Sequence, residues 1–202
     1  MGEPVGARVT EPVSARVAEP VRVLLVSGST RALSSNSAAL RTAQAVAPDG
    51  VLTERYDRLA ELPAFNPDLD EDPLPPLVAE LRARIDAAGA VLFCTPEYAG
   101  TLPGAFKNLL DWTVGGGEMY HKPVAWLNVA PEGRGDGAAA ALATVLGYLG
   151  TQVIEPACVR LPLSSGAVGP DGTATDPEFR AGLGAVLLAI RQHLQPSVPT
   201  TR

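Results

Sequence analysis

Residues 21–40, VRVLLVSGSTRALSSNSAAL, run from six mostly apolar residues through a polar turn into an alanine-rich segment. A short apolar run bounded by turn residues reads as a strand covered on both faces. The spacing that starts at Asn36 reads as a helix, so the unit is strand (21–26), turn, helix (36–46). Within the turn, SGSTRALSSN (27–36) places five hydroxyl side chains and one arginine in ten residues.

Outward from this unit the same alternation repeats. A half-buried strand is expected at 51–56, then a helix at 74–87 with Leu74, Leu77, Val78, Leu81 and Ile85 at the three-to-four spacing of an amphipathic helix. Strands follow at 90–94, 123–129 and 152–160, and helices at 102–112, 137–149 and 177–194. Five strands separated by helices require right-handed crossovers and a parallel sheet, hence a doubly wound three-layer α/β fold. One domain of about 175 residues, 21–195, is long enough to bury a sizeable core. Ahead of it, EPVGARVT, EPVSARVA and EPVRV repeat with a period of eight from Glu3, Glu11 and Glu19. Proline in every unit opposes helix and central strand, so residues 1–20 read as a flexible extension and 196–202 as a frayed tail.

Composition narrows the function. The 46% apolar and 19% charged fractions are those of a soluble globular protein, and a net charge of −6 opposes nucleic-acid binding. The longest apolar runs fall short of the roughly 20 residues of a membrane helix. Cys94 and Cys158 lie far apart without CxxC spacing and read as reduced core residues of a cytoplasmic protein. The only histidines, His121 and His193, are also far apart, with no acidic cluster at metal-ligand spacing.

In such a sheet ligands bind beyond the carboxyl ends of the strands. At the first of these, Gly28 allows a tight turn, and Ser29, Thr30, Ser34 and Ser35 offer hydroxyls. The following helix presents unsatisfied N–H groups at the positive end of its dipole, and Arg31 adds a donor fork suited to phosphate. Together these read as an anion site suited to a phosphomonoester; alone, the serines serve equally well as a helix cap. The second such loop, CTPEYAGTLPGAFKNLLDW (94–112), is stiffened by Pro96, Gly100 and Pro103-Gly104 and carries Tyr98, an aromatic plane on which a heterocycle can lie. Taken singly, Tyr98 is a surface aromatic and Glu97 a solvated carboxylate. A third loop, APEGRGDG (130–137), permits close backbone approach, but no site residue is assigned to it. GGGEMYHK (115–122) reads as a flexible insert.

These residues resemble the NAD(P)H-dependent FMN reductases, flavodoxin-like proteins that include quinone, chromate and azo-dye reductases. Gly28, Ser29, Arg31, Ser34 and Asn36 match the family's phosphate loop G-S-x-R-x-x-S-x-N. Pro96, Glu97 and Tyr98, then Thr101, Pro103, Gly104, Phe106, Lys107, Asn108, Asp111 and Trp112, match its flavin loop. Ala99 departs from the family's asparagine.

The resemblance implies a five-stranded sheet of order 2-1-3-4-5 and bound FMN. NADPH or NADH would be the co-substrate, and electrons would pass to a quinone, azo compound, nitroaromatic, metal oxyanion or free flavin. It places the FMN phosphate on Ser29, Arg31, Ser34, Ser35 and Asn36, and the ring against Pro96, Glu97, Tyr98 and Ala99. No catalytic side chain is implied, because the cofactor carries the difficult chemistry. It further implies a homodimer or a dimer of dimers, for which the apolar residues Leu102, Phe106, Leu109, Leu110 and Trp112 offer a face. The competing readings are a flavodoxin-like electron carrier to a protein partner and a cofactor-free interaction module.

Overall fold

Residues 19–195 are described by the structure, a computed structural model. Nearly all of the N-terminal repeat and the whole of the tail at 196–202 lie outside the described residues. The strands are β1 (Val21–Ser27), β2 (Val51–Tyr56), β3 (Ala90–Cys94), β4 (Pro123–Asn128), β5 (Gln152–Val153) and β6 (Val159–Arg160). All pair in parallel in the order β2-β1-β3-β4-β5, with β6 also on β4. The doubly wound, flavodoxin-like order is the one expected.

The expected strand over 152–160 is two short pieces. Pro156 has no N–H to give a ladder, and a 3-10 turn at Glu155–Ala157 interrupts the pairing. The edge resumes beyond it, where Leu161 and Leu163 donate to the carbonyls of Asn128 and Val129 at 2.9 Å.

Alternation along β1 splits the core in two. Val23 and Leu25 pack with α1 (Ser35–Ala45) and α5 (Pro177–Leu194) on one face. Leu24 and Val26 pack on the other with α2 (Pro76–Ala87), α3 (Gly104–Asp111) and α4 (Asp136–Tyr148). α2 begins at Pro76 and α3 at Gly104, later than the periodicity suggests, because the residue before a proline avoids the helical region and Pro75 and Pro103 stand at the caps.

Two expectations about surface elements are corrected here. Leu102, Phe106, Leu109, Leu110 and Trp112 are all buried within one chain, at 7% exposure or less. The Trp112 indole donates to the Pro63 carbonyl at 2.8 Å and its ring packs edge-on against Phe65, so the 57–75 connection covers the face reserved for a second subunit. The glycine run of the 115–122 insert is likewise committed. A Cβ on Gly115 would fall 2.1 Å from Asp70 Oδ2, and one on Gly116 2.1 Å from Glu118 Oε1. These glycines let the chain wrap two carboxylates that flank Arg82. Among the described residues no helix is long and apolar enough to cross a membrane.

Candidate functional site

The loops leaving β1, β3 and β4 converge on a cleft of about 570 Å³, within the usual range for small-molecule sites. Of the residues singled out in the sequence, Arg31, Ser35, Asn36, Pro96 and Glu97 line it. Ser29 lines a neighbouring cavity instead, with Thr30, Arg31 and Ser37, Ser34 is the buried cap of α1, and Tyr98 and Ala99 lie outside the cleft lining, on the exposed tip of the second loop.

In the first loop, the hydroxyl oxygens fold the backbone into a concave turn. Ser29 N–H donates to Ser27 Oγ at 3.2 Å, Arg31 N–H to Ser29 Oγ at 3.3 Å, and Asn36 N–H to Ser34 Oγ, the cap of α1, at 3.2 Å. Among the described residues the N–H groups of Thr30, Ala32, Leu33, Ser34, Ser35 and Ser37 have no acceptor. A run of free amides at a helix N-terminus with no acidic residue in its first turn is an anion-binding arrangement. A hydroxyl whose oxygen already accepts keeps its proton to donate, so Ser29 and Ser34 remain competent toward an oxyanion. Arg31 is exposed and donates Nη2 to its own loop's Leu33 carbonyl at 3.0 Å. Gly28 serves a purpose other than turn geometry: a Cβ there would lie 2.2 Å from Thr95 Oγ1, so glycine is required for the first and second loops to touch.

Second-loop geometry explains the departure at residue 99. Tyr98 and Thr101 exchange both main-chain hydrogen bonds, at 3.0 and 3.1 Å, across Ala99 and Gly100, whose φ angles are 50° and 77°. Two positive φ values mark a type I′ turn, for which Asn-Gly is the favoured pair. Asparagine suits this position for its backbone preference, and alanine sits there under strain. Ala99→Asn is therefore expected to stabilise the chain by roughly 0.5–1 kcal/mol, raising Tm by about 1–4 °C for a domain of this size; thermal melts of the two proteins check it.

Glu97 is no free carboxylate: its Oε2 accepts from Ala138 N–H at 3.1 Å, joining the second loop to the start of α4. The two backbones touch so closely that a Cβ on Gly137 would be 2.3 Å from the Gly100 carbonyl oxygen. Cys94 lies beneath this loop, fully buried, with Sγ donating to Asn36 Oδ1 at 3.3 Å, and burial pushes its thiol well above the ordinary range. It is a packing residue that ties β3 to α1.

Sequence reasoning pointed to the third loop but assigned none of the residues of this wall, which is formed by Val129, Ala130, Pro131, Arg134, Gly135 and Leu163. The available signal was topological: this loop leaves the carboxyl end of a central strand and holds two glycines at positive φ, Gly133 at 75° and Gly135 at 81°. Arg134 adds a second guanidinium to the cleft beside Arg31. The cleft thus offers a cationic end next to the free amides of the first loop, a rigid Pro96–Glu97 wall, and a glycine-bearing loop opposite. These features fit a flat heterocycle with a phosphate tail.

The model of the NADPH-dependent FMN reductase family matches residues 21–164. The chain is 30% identical over 178 residues to an NAD(P)H:quinone oxidoreductase of Solanum tuberosum, covering 84% of this chain and 91% of that one. It is 43% identical over 91 residues to an NAD(P)H-dependent FMN reductase of Pseudomonas aeruginosa, covering 45% of this chain and 49% of the relative. In the first curated relatives the match spans about half of the relative's length. Among solved structures, the flavoenzyme FerB, an NAD(P)H:(acceptor) oxidoreductase from Paracoccus denitrificans, superposes with a TM-score of 0.69 at 28% identity, covering 86% of this chain and 98% of that one. A family match that begins at β1 and takes in all three loops of the cleft assigns the chain: it belongs to the NADPH-dependent FMN reductase family.

Proposed function

We propose that this chain is an FMN-containing oxidoreductase that passes electrons from NADPH or NADH to a small acceptor of the quinone, azo, nitroaromatic, metal-oxyanion or free-flavin kind. The observation that carries this reading is the set of unpaired amides around Arg31 and the start of α1, where Arg31 and Ser35 line the same cleft as the Pro96–Glu97 wall. Bound FMN supplies the ring that accepts hydride and releases electrons. The chain's own residues have three tasks. Arg31, Ser29, Ser34 and the amides at the start of α1 bind the phosphate. Pro96, Glu97 and the third loop orient the ring, and Tyr98, 54% exposed at the mouth, offers a face to the incoming nicotinamide. Leaving the mouth open suits varied acceptors.

Apoprotein titrated with FMN, then reduced anaerobically by NADPH or NADH in a stopped-flow instrument, tests the proposal. Stoichiometric binding with fast bleaching by a nicotinamide is expected. Binding without nicotinamide reduction favours an electron carrier, and absence of FMN binding leaves only an interaction module.

The assembly proposed is a homodimer or a dimer of dimers, with α4 as the contact in place of α3. From Gly137 through Ile154 no residue carries a charge, and Ala140, Ala143, Thr144, Gly147 and Tyr148 face solvent, Tyr148 at 91%. A chain of net charge −6 approaches its copy with least repulsion there. Light scattering should give about twice the 20.9 kDa of one chain, or four times for a dimer of dimers, and half of that mass for Ala143→Glu. A dimer unaffected by that glutamate rules the face out.

A further inference from the structure

One guanidinium holds the third loop from behind. Arg160, on β6, donates through Nη1 to the carbonyls of Arg134 (2.7 Å), Pro131 (3.1 Å) and Ala130 (3.4 Å), and through Nη2 to the Asp136 carboxylate. Asn128 clamps the same segment: its Nδ2 donates to the Arg134 carbonyl at 3.2 Å and its Oδ1 accepts from Ala130 N–H at 3.0 Å. Residue 135 must be glycine in this arrangement, since its φ is 81° and a Cβ would stand 2.6 Å from Asn128 Oδ1. Arg160 itself is not part of the cleft lining, whereas Ala130, Pro131, Arg134 and Gly135 are.

The orientation of one peptide follows. In a planar trans peptide the carbonyl and the next residue's N–H point in opposite directions. With the Arg134 carbonyl fixed on Arg160 and Asn128, the Gly135 N–H is turned away from both. Gly135 is buried and lines the cleft, and among the described residues its N–H has no acceptor. Buried main-chain donors without partners are rare in native proteins, so this one is available to a ligand.

We infer that the Gly135 amide donates to an acceptor atom on the ring edge of FMN, and that Arg160 is the positioning residue that aims it. The inference rests on the FMN reading above. A donor placed at an atom that gains negative charge on reduction favours reduced over oxidised FMN, as fixed dipoles do wherever charge develops. Arg160→Ala frees the carbonyls of Ala130 and Pro131 and leaves that of Arg134 on Asn128 Nδ2 alone, which loosens the peptide and its aim. Arg160→Lys keeps the charge, but a single ammonium lacks the fork that sets one nitrogen on the loop carbonyls and the other on the Asp136 carboxylate.

The test is a spectroelectrochemical titration of FMN-loaded wild type and both variants, alongside amide NMR of the wild-type apoprotein with added FMN. Arg160→Ala should lose about tenfold of the preference for reduced FMN, a fall in midpoint potential of about 30 mV for a two-electron couple, with Arg160→Lys in between. The Gly135 amide should shift and gain protection from exchange when FMN is added. A folded Arg160→Ala protein with wild-type potential overturns the inference, as does a Gly135 amide indifferent to FMN. If Arg160→Ala does not fold, the lysine variant and the wild-type amide decide. A wild-type protein that takes up no FMN removes the reading under Proposed function instead.

Discussion

Replacing Arg31 with alanine is expected to weaken FMN binding roughly ten- to a hundred-fold, the loss of one charge-assisted phosphate contact worth about 1.5–3 kcal/mol. The side chain is exposed, and among the described residues it bonds only the Leu33 carbonyl of its own loop, so its removal leaves folding stability nearly unchanged. Binding and stability separate cleanly at this position. The six unpaired amides remain in the variant, and FMN should still bind, with riboflavin closing much of the gap in affinity. Fluorescence titration of wild-type and Arg31→Ala apoprotein with FMN and with riboflavin makes the measurement. Equal FMN affinity in the two proteins would place the phosphate elsewhere.

At Arg82 the larger effect falls on folding. This side chain is 8% exposed, donates through Nε and Nη2 to the Trp112 carbonyl at 2.9 and 2.7 Å and through Nη2 to Asp70 Oδ1 at 2.5 Å, and lies 3.7 Å from Glu118 Oε1. It joins the middle of α2 to the end of α3, where a cation also meets the carbonyl end of a helix dipole. Both carboxylates are themselves mostly buried, at 13% side-chain exposure, and Glu118 Oε2 has no partner among the described residues. Alanine at 82 leaves two buried carboxylates without their cation and the Trp112 carbonyl unpaired, a loss of about 3–5 kcal/mol. Urea unfolding should show a lower midpoint, and the triple change Arg82→Met, Asp70→Asn, Glu118→Gln should recover most of it, because the penalty lies in the uncompensated charges. Arg82 lies outside the cleft lining, so FMN affinity of the folded variant should match wild type.

The order of strands and helices was legible in the sequence because burial on both faces of a parallel sheet leaves unbroken apolar runs, as in residues 21–26 and 90–94, and amphipathic helices leave a three-to-four spacing, as in 74–87. Where single residues override the average, boundaries moved: Pro76 delays α2, and Pro156 cuts the last strand in two. The first loop was legible for a similar reason, since its hydroxyls, arginine and helix start are consecutive and their hydrogen bonds span only two residues. The surplus of apolar residues near α3 was visible too. Its meaning was not, because periodicity counts apolar faces without saying what covers them, and here Pro63 and Phe65 do so from more than forty positions away.

The sequence by itself therefore determined the layered α/β architecture, the place of a phosphate-suited turn at the end of the first strand, and the presence of a stiff second loop with an unusual alanine at position 99. Only the tertiary structure decided which glycines are obligatory, that Glu97 is spent on α4, that the loop after β4 is the third wall, and that Arg160 fixes its carbonyls from 26 to 30 positions downstream. The physical reason is range. Propensity, capping and periodicity act between residues a few positions apart and leave a mark in the local pattern. A close backbone approach such as Gly28 to Thr95, or a guanidinium gathering carbonyls of a distant loop, is set by how strands lie side by side in the sheet, and nothing within either segment encodes its partner.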